Sequence, residues 1–472
     1  MAEEKKDLKK KAADKKELFE TMPVPRALAK MAIPTIISQI VNLVYNIVDA
    51  FFIGRTGNSY MVAATTVALA LTMMNVALAN LFGVGGGSLI ARLMGRRHID
   101  EAKHVSAFSL YACIALALTY ALLILAFMEP ILFFLGASKV TIIYAKQYTL
   151  FVIVLGSPVT ITSLTLAHLL RNAGFSSKAS IGLSGGGILN MVLDPIFMFV
   201  IMPDGYEVAG AAMATFVANT AGLIFLLAAY RKAKQTAPLS MSWADARSVG
   251  RGYIKDVLSV GIPSALLTGL FDLASICVNI LAAAHSDLVL AGMGIVLKVE
   301  RIPNAVNIGI CQGMMPIIAY NYTSGDHARM KETIRTARLY GLIVSGVSIL
   351  LLEIFASPVT KVFLSTSTEN SRAAIVTVGL AALFLRIRAL ASPVQFINYH
   401  TSFCMQAIGK GGATILHAMV RELVFYIPLM FILDRMFGYI GLASALPAGE
   451  ALGAVFALVL MRRILKKSQR EL

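Results

Sequence analysis

The chain has 472 residues, of which 57% are hydrophobic and only 14% are charged. Soluble domains average about 25% charged residues, so this composition excludes an ordinary water-soluble enzyme or binding domain. Apolar stretches of about 20 residues, the length that crosses the hydrocarbon layer of a membrane, recur along the whole chain. The sequence therefore predicts an all-α integral membrane protein with twelve transmembrane helices.

The predicted spans alternate with loops of unequal charge. Their expected bounds are 28–54, 60–91, 105–127, 144–170, 179–202, 208–230, 256–284, 288–320, 338–357, 373–407, 412–433 and 440–461. Lys and Arg are concentrated in the tails 1–26 and 462–472, in the linker 231–255, and in other loops on the same side. The positive-inside rule makes that side cytoplasmic, so both termini are predicted to be cytoplasmic.

The net charge of +16 is compatible with nucleic-acid binding only if the basic residues form one soluble surface. They flank membrane spans instead, so no nucleic-acid partner is predicted and the bilayer is the expected partner. The Lys-rich segment 1–26 has no apolar core. It is expected to be a mobile, solvated tail rather than a signal peptide or a span.

Short motifs recur in the same order in the two halves of the chain, at a nearly constant separation. The pairs are Ile33-Pro34 with Ile262-Pro263, Gly83 to Gly87 with Gly309 to Gly313, Ser157-Pro158-Val159 with Ser392-Pro393-Val394, and Gly210 with Gly441. Six spans per half is an even number, so both halves enter the membrane in the same direction. We predict two pseudo-symmetric six-helix lobes, 27–230 and 256–461, with a substrate site between them near the midplane.

One face of the first span is polar. Gln39, Asn42, Asn46 and Asp49 follow i, i+3, i+7, i+10 spacing, and Tyr45 lies beside them. An ionised carboxylate at the centre of a transmembrane helix costs about 2.5–3.5 kcal/mol on insertion scales. This face must therefore point into protein or water, and Asp49 needs a partner or a function.

The fifth and sixth spans carry further polar pairs at i, i+4 spacing. The pairs are Asn190 with Asp194, and Thr215 with Asn219. Pro195 follows Asp194 and lacks an amide hydrogen, so it leaves a backbone carbonyl one turn earlier without its helical partner. A set of oxygen donors suits a proton or a hard cation such as sodium. The alternative is that these residues only join helices by hydrogen bonds worth about 0.6 kcal/mol each.

The second half has polar faces of different chemistry. Asp272 and Asn279 lie in the seventh span, and Gln395 and Tyr399 lie in the tenth. Charged residues are present as well, namely Lys298, Glu300, Arg301, Arg386 and Arg388. Opposite charges there either neutralise one another or line the substrate cavity, and the sequence leaves both possibilities open.

The sequence contains no nucleophile elbow, zinc-site spacing or phosphate-binding loop. The glycine clusters are neither followed by a Lys-Ser or Lys-Thr pair nor placed between a strand and a helix, so they are better explained by close helix packing. No catalytic residue, enzyme activity or organic cofactor is therefore predicted.

Three passages resemble the multidrug and toxic compound extrusion (MATE) family, in its DinF-like and MepA-like bacterial branch. They are Ala32-Ile33-Pro34 through Asn46-Ile47-Val48-Asp49, Arg171-Asn172-Ala173-Gly174 through Leu189-Asn190-Met191-Val192-Leu193-Asp194-Pro195, and Gln312-Gly313-Met314-Met315-Pro316 through Tyr320-Asn321-Tyr322. The resemblance extends from about residue 20 to residue 465.

The resemblance implies a monomeric antiporter of the bacterial inner membrane that exports organic cations or other amphipathic, drug-like compounds by rocker-switch alternating access. It implies coupling to protons or sodium at Asp49, Asn190 and Asp194, with Thr215 as a fourth member and Na⁺ as the possible metal. We expect the substrate cavity to include Gln39, Asn42, Tyr45, Asn46, Asn219, Asp272, Asn279, Gln395 and Tyr399. Pro34 and Pro195 are predicted hinges.

Two other functions are open. A flippase for lipid-linked precursors, in the same superfamily, would need a strongly basic cavity, and Lys298, Arg301, Arg386 and Arg388 could contribute to one. A membrane scaffold or receptor would need large exposed loops or a soluble domain, and the predicted spans leave room for neither.

Overall fold

The computed structural model describes residues 13, 16–362 and 372–468, and within these residues the chain forms helices and no strands. Twelve long helices, α1 to α12, correspond in order to the predicted spans. They are α1 Val24–Arg55, α2 Ser59–Gly95, α3 Ile99–Ala126, α4 Thr141–Asn172, α5 Ser176–Ile201, α6 Glu207–Ala233, α7 Arg251–His285, α8 Asp287–Ser324, α9 His327–Val362, α10 Arg372–Ala389 with Ser392–Ala407, α11 411–437 and α12 439–468. Two short helices, Met128–Phe134 and Trp243–Arg247, lie in connecting segments.

The count of twelve depends on two breaks. Ten helices of the described residues are long and apolar enough to cross a membrane, and α10, bent by 50°, makes an eleventh. One of the ten, Gly411–Lys466, has 56 residues, or roughly 84 Å of helix, far more than the roughly 30 Å hydrocarbon layer. Gly438 divides it into α11 and α12 because its backbone is non-helical, with φ 61° and ψ −147°. The predicted twelve-helix fold is confirmed.

Three of the helices contain a π-helical turn. These turns are Leu150–Leu155 in α4, Phe197–Ile201 in α5 and Val420–Tyr426 in α11. The turn in α5 begins shortly after Pro195, which cannot donate a backbone hydrogen bond. Single π turns inside α-helices are frequent at functional sites. In α5 and α11 they adjoin or contain buried charged residues.

The predicted lobes, α1–α6 and α7–α12, pack tightly against each other along α2 and α7. Gly85 and Gly261 permit this approach. A Cβ atom on Gly261 would lie 1.8 Å from the carbonyl oxygen of Leu81, and one on Gly85 would lie 2.3 Å from the carbonyl oxygen of Val257. The structure confirms that Gly85, in the first glycine cluster, permits close helix packing.

Further contacts close the end of the bundle at which Gly85 and Gly261 bring α2 and α7 together. The Ser88 hydroxyl donates to the carbonyl of Gln406 at 2.7 Å, and the Thr323 hydroxyl donates to the carbonyl of Arg92 at 2.6 Å. α1 packs on α8 where Gly313 leaves no room for a side chain against Ala32. The amino-terminal ends of α1 and α7 lie on this closed side.

One prediction about the tails was wrong. Residues 16–22 of the expected solvated tail pack on the protein, with Leu18, Phe19 and Met22 buried. Three apolar side chains within a short charged segment are driven out of water by the hydrophobic effect. The predicted tail 462–472 begins inside α12, which continues to Ser468. Residues 1–12, 14, 15 and 469–472 lie outside the described residues.

We expect Gly261→Ala to destabilise the protein by about 1–3 kcal/mol, the usual cost of overpacking, because the new methyl group meets the α2 backbone. Gly269→Ala on the same helix is the control, since a Cβ there meets nothing within 4 Å. Thermal unfolding of the two purified variants measures the difference. Equal midpoints would show that α2 and α7 are not in close contact.

Candidate functional site

α5 and α6 place three of the predicted coupling residues together. Asp194 is fully buried. The Asn190 side-chain amide donates to Asp194 Oδ1 at 2.7 Å and to the Thr215 hydroxyl at 3.3 Å. Thr215 in turn donates to the carbonyl of Ala211 at 3.0 Å. The i, i+4 spacing of Asn190 and Asp194 thus produces a direct hydrogen bond on the inner face of α5.

Asp49 joins this group from α1, which packs along α5. The Asp49 and Asp194 carboxylates are close enough for their charges to interact. Asp49 Oδ1, Asp194 Oδ2 and Asn190 Oδ1 are all buried and lack a hydrogen-bond partner among the described residues. A proton or a small hard cation would satisfy these oxygens, and the donor set fits sodium.

Tyr45 of α1 packs against α5 beside this site. It fits against α5 because Gly187 has no side chain, and a Cβ there would lie 2.9 Å from the Tyr45 ring. Tyr148 of α4 is also close enough to Asp49 and Asp194 to interact electrostatically. Sequence analysis did not select Tyr148, because one tyrosine in an apolar span is an ordinary packing residue.

A cavity of 610 Å³ lies between the predicted lobes, beyond the closed end. The first half of α2, from Thr66 to Ala77, forms a mainly apolar wall. The opposite wall is polar and charged, and its described charged residues are Glu300, Arg301, Arg388, Arg421, Glu422 and Glu450. An amphipathic molecule would meet apolar contacts on one side and charges on the other.

The expected cavity residues of the second half fall into three groups. Asn279 and Gln395 line the cavity, whereas the side chain of Asp272 lies outside the described part of the structure. Tyr399 does not line it but lies beneath Arg421, whose guanidinium carbon is 5.2 Å from the ring centroid.

The predicted cavity residues in the first half of the chain are not among the residues that line this cavity, and their assignment stays a prediction. Gln39 Nε2 donates to Gln312 Oε1 at 3.5 Å across the two lobes, and Asn219 Nδ2 donates to the Thr160 hydroxyl at 3.3 Å. Asn46 Nδ2 donates to the Asn42 carbonyl at 2.6 Å. From this half, residues of α2 and Leu135 line the cavity, whereas the following predicted residues do not: Gln39, Asn42, Tyr45, Asn46 and Asn219.

Two ion-paired groups form the charged wall. Arg388 makes a bidentate pair with Glu300, at 2.7 and 2.9 Å. Arg421 lies 2.7 Å from Glu422 and 3.3 Å from Glu450. Sequence analysis missed Arg421, Glu422 and Glu450, although a glutamate in the middle of an apolar span is the same signal that singled out Asp194.

The two predicted hinge prolines lie inside continuous helices. α1 runs through Pro34, and α5 runs through Pro195 into its π turn. Their role in movement remains a prediction.

The arrangement of twelve helices is matched by known proteins. The MatE family model matches residues 34–196 and 263–432. The chain belongs to the MatE family. The two matched segments begin at Pro34 and Pro263, the prolines paired in the internal repeat.

Relatives of this chain include multidrug export proteins. The chain is 28% identical to multidrug export protein MepA of Staphylococcus saprophyticus and 29% identical to MepA of Staphylococcus aureus (strain MRSA252), in each case over 94% of both chains. This MatE protein is accordingly a multi-pass membrane transporter and not an enzyme.

Solved structures share the fold. A MATE structure in complex with MaL6 has a TM-score of 0.89 at 23% identity and covers 96% of this chain and 99% of its own. An outward-facing multidrug resistance MATE family transporter of the MOP superfamily has a TM-score of 0.88 at 22% identity, covering 96% and 98%.

Proposed function

We propose that this protein is a secondary antiporter of the bacterial inner membrane that exports organic cations and other amphipathic compounds in exchange for protons or sodium ions. The observation that carries this proposal is the pair of membrane-embedded carboxylates, Asp49 and Asp194, with three unpartnered buried oxygens between α1 and α5. Membership of the MatE family and similarity to MepA proteins support the multidrug class of substrate.

The free energy for export comes from the inward movement of a cation. Each positive charge that moves inward through an inside-negative potential releases about 2.3 kcal/mol per 100 mV. A cation bound at Asp49 and Asp194 neutralises charge in the membrane interior, where an ionised carboxylate is costly. Binding therefore alters the packing of α1 on α5, and the amino-terminal lobe transmits the change to the cavity.

The cavity suits an amphipathic substrate and faces outward in the predicted orientation. Helix contacts close the side on which α1 and α7 begin, and the cavity lies toward the opposite side. In alternating access, the lobes would separate at Gly85 and Gly261 to expose the cavity to the cytoplasm. Pro34, near the cytoplasmic end of α1, is positioned to permit bending there.

A flippase for a lipid-linked precursor is less favoured. Such a protein needs an excess of positive charge around a pyrophosphate group. The described cavity wall instead carries three arginines and three glutamates, and Arg388 and Arg421 are already paired. The sequence left open whether such charges neutralise one another or line the cavity, and Arg388 and Glu300 do both.

We expect Asp194→Asn to reduce cation-driven efflux by at least about tenfold, within the range of typical coupling free energies. The amide keeps the size and the hydrogen bonding of the side chain but cannot bind an exchangeable cation. Efflux of ethidium from proteoliposomes, with pH and sodium gradients imposed separately, measures the effect. Asp204→Asn, the same change in an exposed loop, is the control.

The proposal fails if Asp194→Asn transports ethidium at the wild-type rate under both gradients. It also fails if the wild-type protein moves ethidium equally well with and without either gradient.

A further inference from the structure

The carboxy-terminal helices contain a buried charge cluster with unequal numbers of positive and negative groups. Arg421 is the one arginine paired with both Glu422 and Glu450, and each of the three side chains is only 3% exposed. With both carboxylates ionised the trio carries one net negative charge. A net charge in the membrane interior is costly and is removed when the group binds a proton or a cation.

The two glutamates have different surroundings. Glu450 is fully hydrogen-bonded as an anion, because Oε1 faces Arg421 and Oε2 accepts a 2.5 Å hydrogen bond from the Asn398 amide. Glu422 Oε1 faces Arg421, but Glu422 Oε2 is buried without a hydrogen-bond partner among the described residues. Glu422 is therefore the carboxylate with a free oxygen, Oε2, to which a proton can bind.

One member of the cluster, Arg421, corresponds in the internal repeat to Asn190 of the amino-terminal site. Arg421 is separated from Asn190 by the same stretch of chain that separates Gly441 from Gly210, the glycine pair of the internal repeat. Glu450 stands at this same separation from Asn219. A π-helical turn adjoins Asp194 in α5, and another contains Arg421 and Glu422 in α11.

We propose that Glu422 is a second proton-binding site, which exchanges its proton with the cavity while Glu450 remains ionised beside Arg421. The step transfers one proton from a hydronium ion in the cavity to Glu422 Oε2, which leaves a water molecule and a neutral carboxylic acid and involves no redox change. This inference adds a site to the proposed antiporter and rests on that function only for its role in coupling.

The ligand is a proton rather than a metal ion. The Arg421 guanidinium is 2.7 Å from Glu422 and would repel any metal ion bound to the same carboxylate. Both Glu450 oxygens are already in use. Within the described residues no group of three or more His, Cys, Asp or Glu side chains could hold a metal.

The groups around Glu422 are consistent with this assignment. Arg421 and His417 belong to the same helix, Tyr399 comes from α10 and Glu450 from α12. His417 has both ring nitrogens in hydrogen bonds, with Ser402 at 2.9 Å and Asn398 at 3.1 Å. The neighbouring charges on α8 and α10, Glu300 and Arg388, neutralise each other next to Tyr426. The side chain of Asp272 on α7 lies outside the described part of the structure.

Infrared difference spectra between alkaline and mildly acidic pH test the proposal on the full chain in phosphatidylethanolamine–phosphatidylglycerol vesicles. The wild-type protein should gain a C=O stretching band from a buried protonated carboxyl group, and Glu422→Gln should lose it. Glu450→Gln should lose the same band, because Arg421 then pairs with Glu422 alone. Asp194→Asn should retain it.

The proposal is overturned if Glu422→Gln, or Glu450→Gln where the first variant does not fold, keeps the wild-type set of bands. The readout needs no transport, so a protein that failed to export ethidium could still support this site, and the two proposals fail separately.

An independent set of contacts concerns the segment Lys16–Met22, here called the strap. It lies across the closed end of the bundle and touches both predicted lobes. Phe19 stacks on Tyr320 of α8 with ring centroids 5.0 Å apart, and Phe19 and Leu18 pack where Gly174 between α4 and α5 has no side chain.

Polar contacts fix the backbone of the strap. Arg329 of α9 donates from Nε to the carbonyl of Phe19 at 2.7 Å and from Nη2 to that of Leu18 at 3.1 Å. Asn321 donates to the Phe19 carbonyl at 3.2 Å, and Tyr320 donates to Glu20 Oε1 at 2.6 Å. Helix packing alone does not require any of these bonds.

We infer that the strap stabilises the closed end and must be released before the cavity opens on that side. Spin labels at Lys234→Cys and Lys331→Cys, in a chain whose native cysteines are replaced by alanine, report the distance between the lobes. Arg329→Gln and Phe19→Ala should each add a longer-distance population, whereas Arg335→Gln, an exposed change on the same helix, should not. Wild-type distance distributions in both strap variants would overturn the inference.

Discussion

The cost of an ionised carboxylate inside a membrane governs the chemistry of this protein. Asp194, Glu422 and Glu450 are almost completely buried, and Asp49 has one buried carboxylate oxygen. Only Glu450 has hydrogen-bond or charged partners at both oxygens. The free energy stored in the unsatisfied groups is released when a cation binds, which makes their occupancy a natural control of helix packing.

The fold places these groups next to elements that can move. α1 and α5 meet at the amino-terminal site, and α11 carries the second cluster on a π turn facing the cavity. The opposite, closed end of the bundle is held together by the strap and by the glycine contacts between α2 and α7. Because the packed arrangement is specific, separation of the lobes has to be a discrete change rather than a gradual deformation.

Most of the fold was predictable because the hydropathy of a membrane span is a signal summed over about twenty residues. The charge of the loops then predicts the orientation of the spans. Asp49, Asn190 and Asp194 were predictable from helical spacing, which the structure keeps. The pairing of Arg421 with Glu422 was not, since neighbours in a regular α-helix point about 100° apart and nothing in the sequence marks the π turn that carries both. The strap was missed because it has as many charged residues as apolar ones. The burial of Leu18, Phe19 and Met22 requires the surface formed by α8 and α9.

Drug-stimulated ion uptake is the most direct measure of the central claim, that carboxylates in the membrane interior bind the ion that drives export. Proteoliposomes would report internal pH and ²²Na⁺ while tetraphenylphosphonium is carried across the membrane. The account predicts that its movement drives a counterflow of protons or sodium. Movement of the probe with no change in either ion flux would contradict it.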